Sequence, residues 1–280
     1  MKITMMGTGH AMVTENYNTC FTMQNTTEPA AANAPEGQLP PVFLADGGGG
    51  NTILRNLKRA GIKPSQIHDV FVSHHHIDHM TGILWVVRAI TSEMWRGSYE
   101  GEARIYSHPE LSKLMEDLCK TVLDKRQACF IGDKLRFIPV EDGDTAEIIG
   151  HPVTFFDLGP ESKVRQFGFQ MVLEDGRKIS MFGDETCHPA GKPYLQGSFL
   201  AFHEAFCLDA EEAIYHPYQI GHSTVKTACE LAEAAGVQNL VLYHTEESHG
   251  ADRQRLYMEE GSHYFTGTLR VPNDLESFEI

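Results

Sequence analysis

Residues 72–82 read Val-Ser-His-His-His-Ile-Asp-His-Met-Thr-Gly, and His74, His76, Asp78 and His79 put four potential metal ligands within six positions. Imidazole and carboxylate together suit Zn²⁺, with Mn²⁺ or iron as alternatives. His74 and His76, two apart in an extended turn, can aim at one ion. Asp78 and His79, opening a helix, can aim at a second. A surface histidine cluster or a tag-like tract would give similar letters. This run lies between an apolar strand and an apolar helix and carries an aspartate, so ligation is the expected role.

The elements that must position these residues follow from hydrophobic pattern and breakers. Strands are expected at Lys2–Met6, Cys20–Gln24, Val42–Ala45, Asp69–Ser73 and Arg104–Ser107. Others follow at Leu135–Val140, Val153–Asp157, Phe167–Leu173, Lys178–Phe182, Phe199–His203, Asn239–Tyr243 and Thr268–Val271. Helices are expected at Asn51–Ala60, Met80–Ile90, Pro109–Lys125, Ser223–Ala235 and Asp252–Glu260, with Ser223 as an N-cap and Pro109 in a first turn. Hairpin-like pairs followed by strands alternating with helices imply an α/β class. Asn25–Pro41, rich in Pro, Ala and polar residues, reads as an exposed loop. Gly47–Gly50 lacks the Gly-Lys-Ser/Thr ending of a phosphate loop, so close backbone packing under the site is its expected role.

Composition narrows the partners. With 41% hydrophobic and 22% charged residues, the 280-residue chain has the makings of an ordinary globular core. No apolar run approaches the roughly 20 residues of a membrane span, and Met1–Gly7 runs into Gly-Thr-Gly before a secretory core could form. A cytoplasmic protein is expected. Net charge is −15, from 23 Lys and Arg against 38 acids. Long RNA or DNA is therefore disfavoured, and a small-molecule substrate fits better. The six cysteines are scattered without a C-x-x-C pair, as for reduced, mostly buried thiols.

The string His74-x-His76-x-Asp78-His79 resembles the H-x-H-x-D-H signature of the metallo-β-lactamase superfamily. Gly183-Asp184, after Lys178–Phe182, resembles its Gly-Asp element, and His244 in Leu-Tyr-His-Thr resembles its last histidine ligand. His203-Glu204-Ala205-Phe206 and His222-Ser223-Thr224 resemble the His-Glu-Ala-Thr and His-Ser-Thr motifs of the ribonuclease Z and phosphodiesterase branch. The motifs occur in the family's order, from Gly7-Thr8-Gly9 to about Glu247. The resemblance implies one domain over residues 1–280, a four-layer αβ/βα sandwich of two mixed sheets flanked by helices. It implies a dinuclear centre, two Zn²⁺ held by His74, His76, Asp78, His79, Asp184 and His244, with Asp184 bridging. The implied activity is hydrolysis of a phosphodiester or related small phosphorus ester by a metal-activated hydroxide. His222 would assist the leaving oxygen as general acid, with Glu204 orienting its ring and favouring its charged form. A homodimer is a further implication.

Two departures qualify the resemblance. The family's additional histidine after the strand Val153–Asp157 is absent from Phe156–Lys163, so Asp157 and Glu161 are the candidates to complete the first ion's shell; if neither reaches, that site is open, weaker or left with one ion only. The long basic arm of the transfer-RNA-trimming members is also absent, as is their Pro- and Lys-containing loop at 10–20. Three other readings follow: a carboxylic ester, thioester or lactone hydrolase, a transfer-RNA 3′ processing endonuclease, and a weakened metal- or ligand-binding homologue. His203, His108 and His75 are read as structural, and His151 is not counted as a ligand.

Overall fold

Strands buried on both faces need a layer above and below them, and this chain supplies two stacked sheets with helices outside. The computed structural model describes residues 1–26 and 39–280, so most of the loop expected over Asn25–Pro41 lies outside the described residues. The first sheet contains β1 (Lys2–Gly7), β2 (Cys20–Gln24), β3 (Val42–Ala45), β4 (Ile67–Phe71), β5 (Ala103–Ser107) and β6 (Leu135–Pro139). The second contains β7 (Thr145–Ile148), β8 (His151–Asp157), β9 (Phe167–Val172), β10 (Lys178–Met181), β11 (Leu200–Glu204), β12 (Asn239–Tyr243) and β13 (Thr268–Arg270). β14 (Ser277–Glu279) returns to the first sheet, giving the orders β14-β1-β2-β3-β4-β5-β6 and β13-β12-β11-β10-β9-β8-β7.

Period-two alternation sorts the side chains into layers. In β3, Phe43 and Ala45 enter the core between the sheets, while Val42 and Leu44 face helices. In β12, Val241 and Tyr243 point inward and Leu240 and Leu242 outward. Aromatic rings fill the inter-sheet layer: Phe21 stacks on Phe202 at 4.2 Å, and Phe43 meets Phe169 edge-on at 5.2 Å. Helices α1 (Thr52–Arg59), α2 (Ile77–Arg96) and α3 (Pro109–Val122) cover the first sheet through Leu57, Ile83, Val87, Ile90 and Met115. Helices α4 (Val225–Ala234) and α5 (Arg253–Gly261) cover the second through Val225, Cys229 and Tyr257. The architecture is the expected αβ/βα sandwich of two mixed sheets.

Several boundaries differ from the sequence reading, each for a local reason. β4 ends at Phe71, which leaves Ser73 and His74 in the turn beyond it. α2 runs on to Arg96, where Gly97 closes it in the left-handed region at φ 74. α3 stops at Val122 because Asp124 caps a separate short turn by accepting from the Arg126 N–H. Thr224, not Ser223, caps α4, its side-chain hydroxyl accepting from the Thr227 N–H. All six cysteines are unpaired thiols, and only Cys129 is exposed.

β3–β6 run parallel, and so do β10–β13. Their carboxyl ends therefore gather along one edge. Asp46 follows β3, His74 follows β4 and Asp184 follows β10, Glu204 closes β11, and His244 follows β12.

Candidate metal centre

The first turn of α2 lies directly on the glycine run. Gly47 donates to the His79 carbonyl at 2.9 Å, and Gly82 donates to the Gly48 carbonyl at 2.8 Å. A Cβ on Gly82 would come within 1.8 Å of the Gly47 carbonyl oxygen, so this approach requires glycine. The close packing sets Asp46 beneath the histidines. Its Oδ2 lies 2.8 Å from His79 Nδ1, and its Oδ1 accepts from the Ser73 N–H at 2.8 Å. Ser73 Oγ bridges Asp46 to His74 Nδ1, 3.0 Å away. Both rings are thus held through Nδ1, leaving each Nε2 aimed at the centre, as metal-binding histidines require. Sequence reasoning missed Asp46. Its one signal was an acid at a strand end before four glycines.

The six residues anticipated as ligands converge. Asp184 Oδ2 lies 3.4 Å from His74 Nε2, 4.0 Å from His76 Nδ1, and 3.5 Å from both His79 Nε2 and His244 Nε2. Asp78 Oδ2 lies 3.4 Å from His79 Nε2 and from His244 Nε2. The donors form two groups, His74/His76/Asp184 and Asp78/His79/Asp184/His244, with Asp184 common to both. All are buried except His76, whose side chain is 45% exposed at the mouth of the site.

These residues fit a pair of cations. His74 Nε2, His79 Nε2 and Asp184 Oδ1 are buried without hydrogen-bond partners, an arrangement that is unfavourable unless something positive lies between them. Burial opposes ionisation of Asp184, yet the His74 and His79 imidazoles hold it well below the usual carboxylate range. Burial likewise opposes ionisation of Asp78, and His79 and His244 hold it low. For His79, burial favours the neutral ring, but Asp78 and Asp46 raise its pKa well above the ordinary value. His244 and Asp46 also share backbone geometry rare for non-glycine residues, φ 57 and φ 56, at the ends of their strands.

The expected extra carboxylate is corrected by the geometry. Asp157 accepts from the Gly159 N–H and pairs with Arg165 at 3.4 Å, and Glu161 is exposed; neither belongs to the His74/His76/Asp184 group. Among the described residues that group therefore offers three protein ligands. The Glu204–His222 arrangement also differs from expectation. His222 Nδ1 donates to the Asp184 carbonyl at 2.6 Å and lies 3.9 Å from Glu204 Oε2. Glu204 instead accepts from the Ser223 N–H at 2.6 Å, so it fixes the turn rather than the ring. Burial, then His244, pushes the His222 pKa down to about 4, opposite to the expected stabilisation of its charged form. Burial pushes the Glu204 carboxyl well above its usual range.

Aromatic rings wall the site beside His222. Phe206 stacks on His222 at 5.1 Å and 9°, and His10 packs on Phe206 at 4.6 Å. Burial lowers His10 to about 4, with His244 adding to the effect. His10 was not anticipated, and nothing in its sequence neighbourhood marked it. The four histidines not counted as ligands, His203, His108, His75 and His151, stand outside both donor groups. His203 takes the Cys187 N–H and faces the Glu204 carbonyl; His108 caps α3; His75 is exposed, and His151 opens β8.

The sequence profile of the beta-lactamase superfamily domain matches residues 44–245. A ribonuclease Z of Exiguobacterium is 23% identical, over 99% of this chain and 98% of its own. The short form of human tRNase Z superimposes with a TM-score of 0.72 at 19% identity, covering 100% of this chain and 99% of its own. A diphosphatase of the PhnP family superimposes with a TM-score of 0.70 at 15% identity, covering 100% and 97%. Among the described residues no helix is long and apolar enough to cross a membrane. With the profile spanning most of the chain and the ligand groups meeting at the sheet edge, this protein belongs to the β-lactamase superfamily, as a metal-dependent hydrolase of the metallo-β-lactamase fold.

Proposed function

We propose that the chain, acting as one domain in the cytoplasm, hydrolyses a phosphodiester or related small phosphorus ester at a two-zinc centre. The observation that carries the reading is the shared carboxylate: Asp184 Oδ2 lies 3.4–3.5 Å from His74, His79 and His244 at once. When bound, two adjacent divalent cations supply Lewis-acid polarisation of a phosphoryl oxygen and activation of water near neutral pH.

The chain's own residues supply the rest. His222 spends Nδ1 on the Asp184 carbonyl, so Nε2 is the atom left to meet a leaving oxygen. An anionic phosphoryl group beside it would oppose the effect of burial and favour the protonated ring. Glu204 holds the Ser223 backbone, and Phe206 holds the plane of the His222 ring by stacking. The net charge of −15 favours a small substrate over a polynucleotide.

The test compares metal-loaded protein on bis(p-nitrophenyl) phosphate, p-nitrophenyl acetate and a simple lactone. The phosphodiester should be preferred, and His222→Gln should lower its kcat roughly 10²–10⁴-fold with metal content unchanged. Preference for the carboxylic ester or lactone, with His222→Gln harmless, would sink the phosphodiester reading. Absence of all turnover would favour a ligand-binding homologue.

A further inference from the structure

A second cluster of metal-ligating side chains lies just past the last histidine of the centre. Glu246 and His249 follow β12 in the segment after His244, and Glu211 comes from the short turn Asp209–Glu211. Donor atoms of the three lie within 4.8 Å of one another. Glu211 Oε1 is 2.8 Å from His249 Nε2, and Glu246 Oε1 is 3.8 Å from the same nitrogen, beyond hydrogen-bond reach.

An ordinary His–Glu ion pair does not account for this arrangement. The Glu246 side chain is 4% exposed. Its Oε2 already accepts from the Ser248 N–H at 2.6 Å and the Tyr215 hydroxyl at 3.1 Å. Its Oε1 is buried, points at His249, and has no partner; Glu211 Oε2 is buried without one as well. A buried carboxylate oxygen left bare is unfavourable. One imidazole N–H can serve only one of these oxygens, and it already serves Glu211. Two carboxylates facing one ring also leave a local excess of negative charge.

We propose that Glu211, Glu246 and His249 form a further divalent-cation site, distinct from the His/Asp centre, for an ion of the Zn²⁺ or Mn²⁺ class. Two oxygens and one imidazole nitrogen match the donor preference of those ions. Ligand bonds of about 2.0–2.2 Å need donors roughly 3.5 Å apart, so the 2.8 Å contact must open by about 0.7 Å and the 3.8 Å separation close by about 0.3 Å. Three protein ligands leave a position for water. The bound ion fastens the Glu211 turn to the segment after His244. It thereby holds Tyr215, which bonds Glu246 and packs edge-on against Phe206 at 5.9 Å, beside His222.

The inference does not depend on the substrate of the main centre, and its test counts metal. Full-length protein, stripped by chelator, is dialysed against micromolar Zn²⁺, and bound zinc per chain is measured by mass spectrometry. Wild type should hold one equivalent more than Glu246→Gln or His249→Ala, while Asp184→Ala should keep that extra equivalent. Circular dichroism checks folding of each variant. Because His249 is part-exposed, its replacement serves if the buried Glu246 variant fails to fold. Equal zinc content in wild type and the His249 variant overturns the site, and so does an extra equivalent that vanishes with Asp184.

Discussion

Replacing Asp46 by Asn isolates what one buried carboxylate does for the centre. Asn keeps the shape, tolerates the left-handed backbone at φ 56, and can still present its amide oxygen to the Ser73 N–H. What changes is the atom 2.8 Å from His79 Nδ1, from an acceptor to an N–H donor. Two donors cannot face each other, so His79 is driven to the tautomer with its proton on Nε2, the nitrogen aimed at Asp78, Asp184 and the ion. Loss of such an outer carboxylate typically weakens metal affinity about 10–100-fold, or about 1.4–2.8 kcal/mol. Asp46→Ala would be a poorer choice, since the orphaned Ser73 N–H would add a folding penalty of about 1–3 kcal/mol. Competition with a chromophoric chelator measures the dissociation constant directly. The weakened step should be that of the Asp78/His79/Asp184/His244 group. A constant within twofold of wild type, in a variant with an unchanged melting curve, would refute the orienting role of Asp46.

Three further outcomes follow from the same geometry. Asp184→Ala should empty both halves of the His/Asp centre, because both donor groups use that carboxylate; full retention of one of those ions, measured as metal per chain, would contradict sharing. Gly82→Ala should destabilise the fold by about 3 kcal/mol or more in urea unfolding, since the new Cβ meets backbone at 1.8 Å and backbone cannot rotate aside. A loss under about 0.5 kcal/mol, the range of a neutral surface change, would mean the glycine run is not held against α2. Phe202→Ala, which removes the ring stacked on Phe21 between the sheets, should lose about 3–5 kcal/mol in the same assay while leaving metal stoichiometry intact in the folded fraction. A small loss there would place the stabilising contacts elsewhere than between the sheets.

What could be read from the sequence was whatever is local. The string from His74 to His79 carries its chemistry in consecutive residues, and the long strands and helices declare themselves through period and breakers. Two of the four edge strands, β7 and β14, did not. β7 is four residues and mostly accessible, while β14 is three residues that become a strand only by pairing with β1, Lys2 opposite Glu279. Asp46 escaped notice because its partner, His79, lies 33 positions away, and an acid before glycines reads equally well as a turn. The His222 ring shows the same limit at finer scale. Its motif fixed which residues meet, but a rotation about the side chain decides whether Nδ1 finds Glu204 or the Asp184 carbonyl. That choice belongs to the backbone of residues 183–184, itself held by the Tyr243 hydroxyl on the Gly183 carbonyl and by Gln166 on the Asp184 N–H. Ligand identity is thus written in short strings, whereas the tautomer and aim of each ring are set by distant carbonyls and carboxylates. A variant that spares every ligand can therefore still disable the centre.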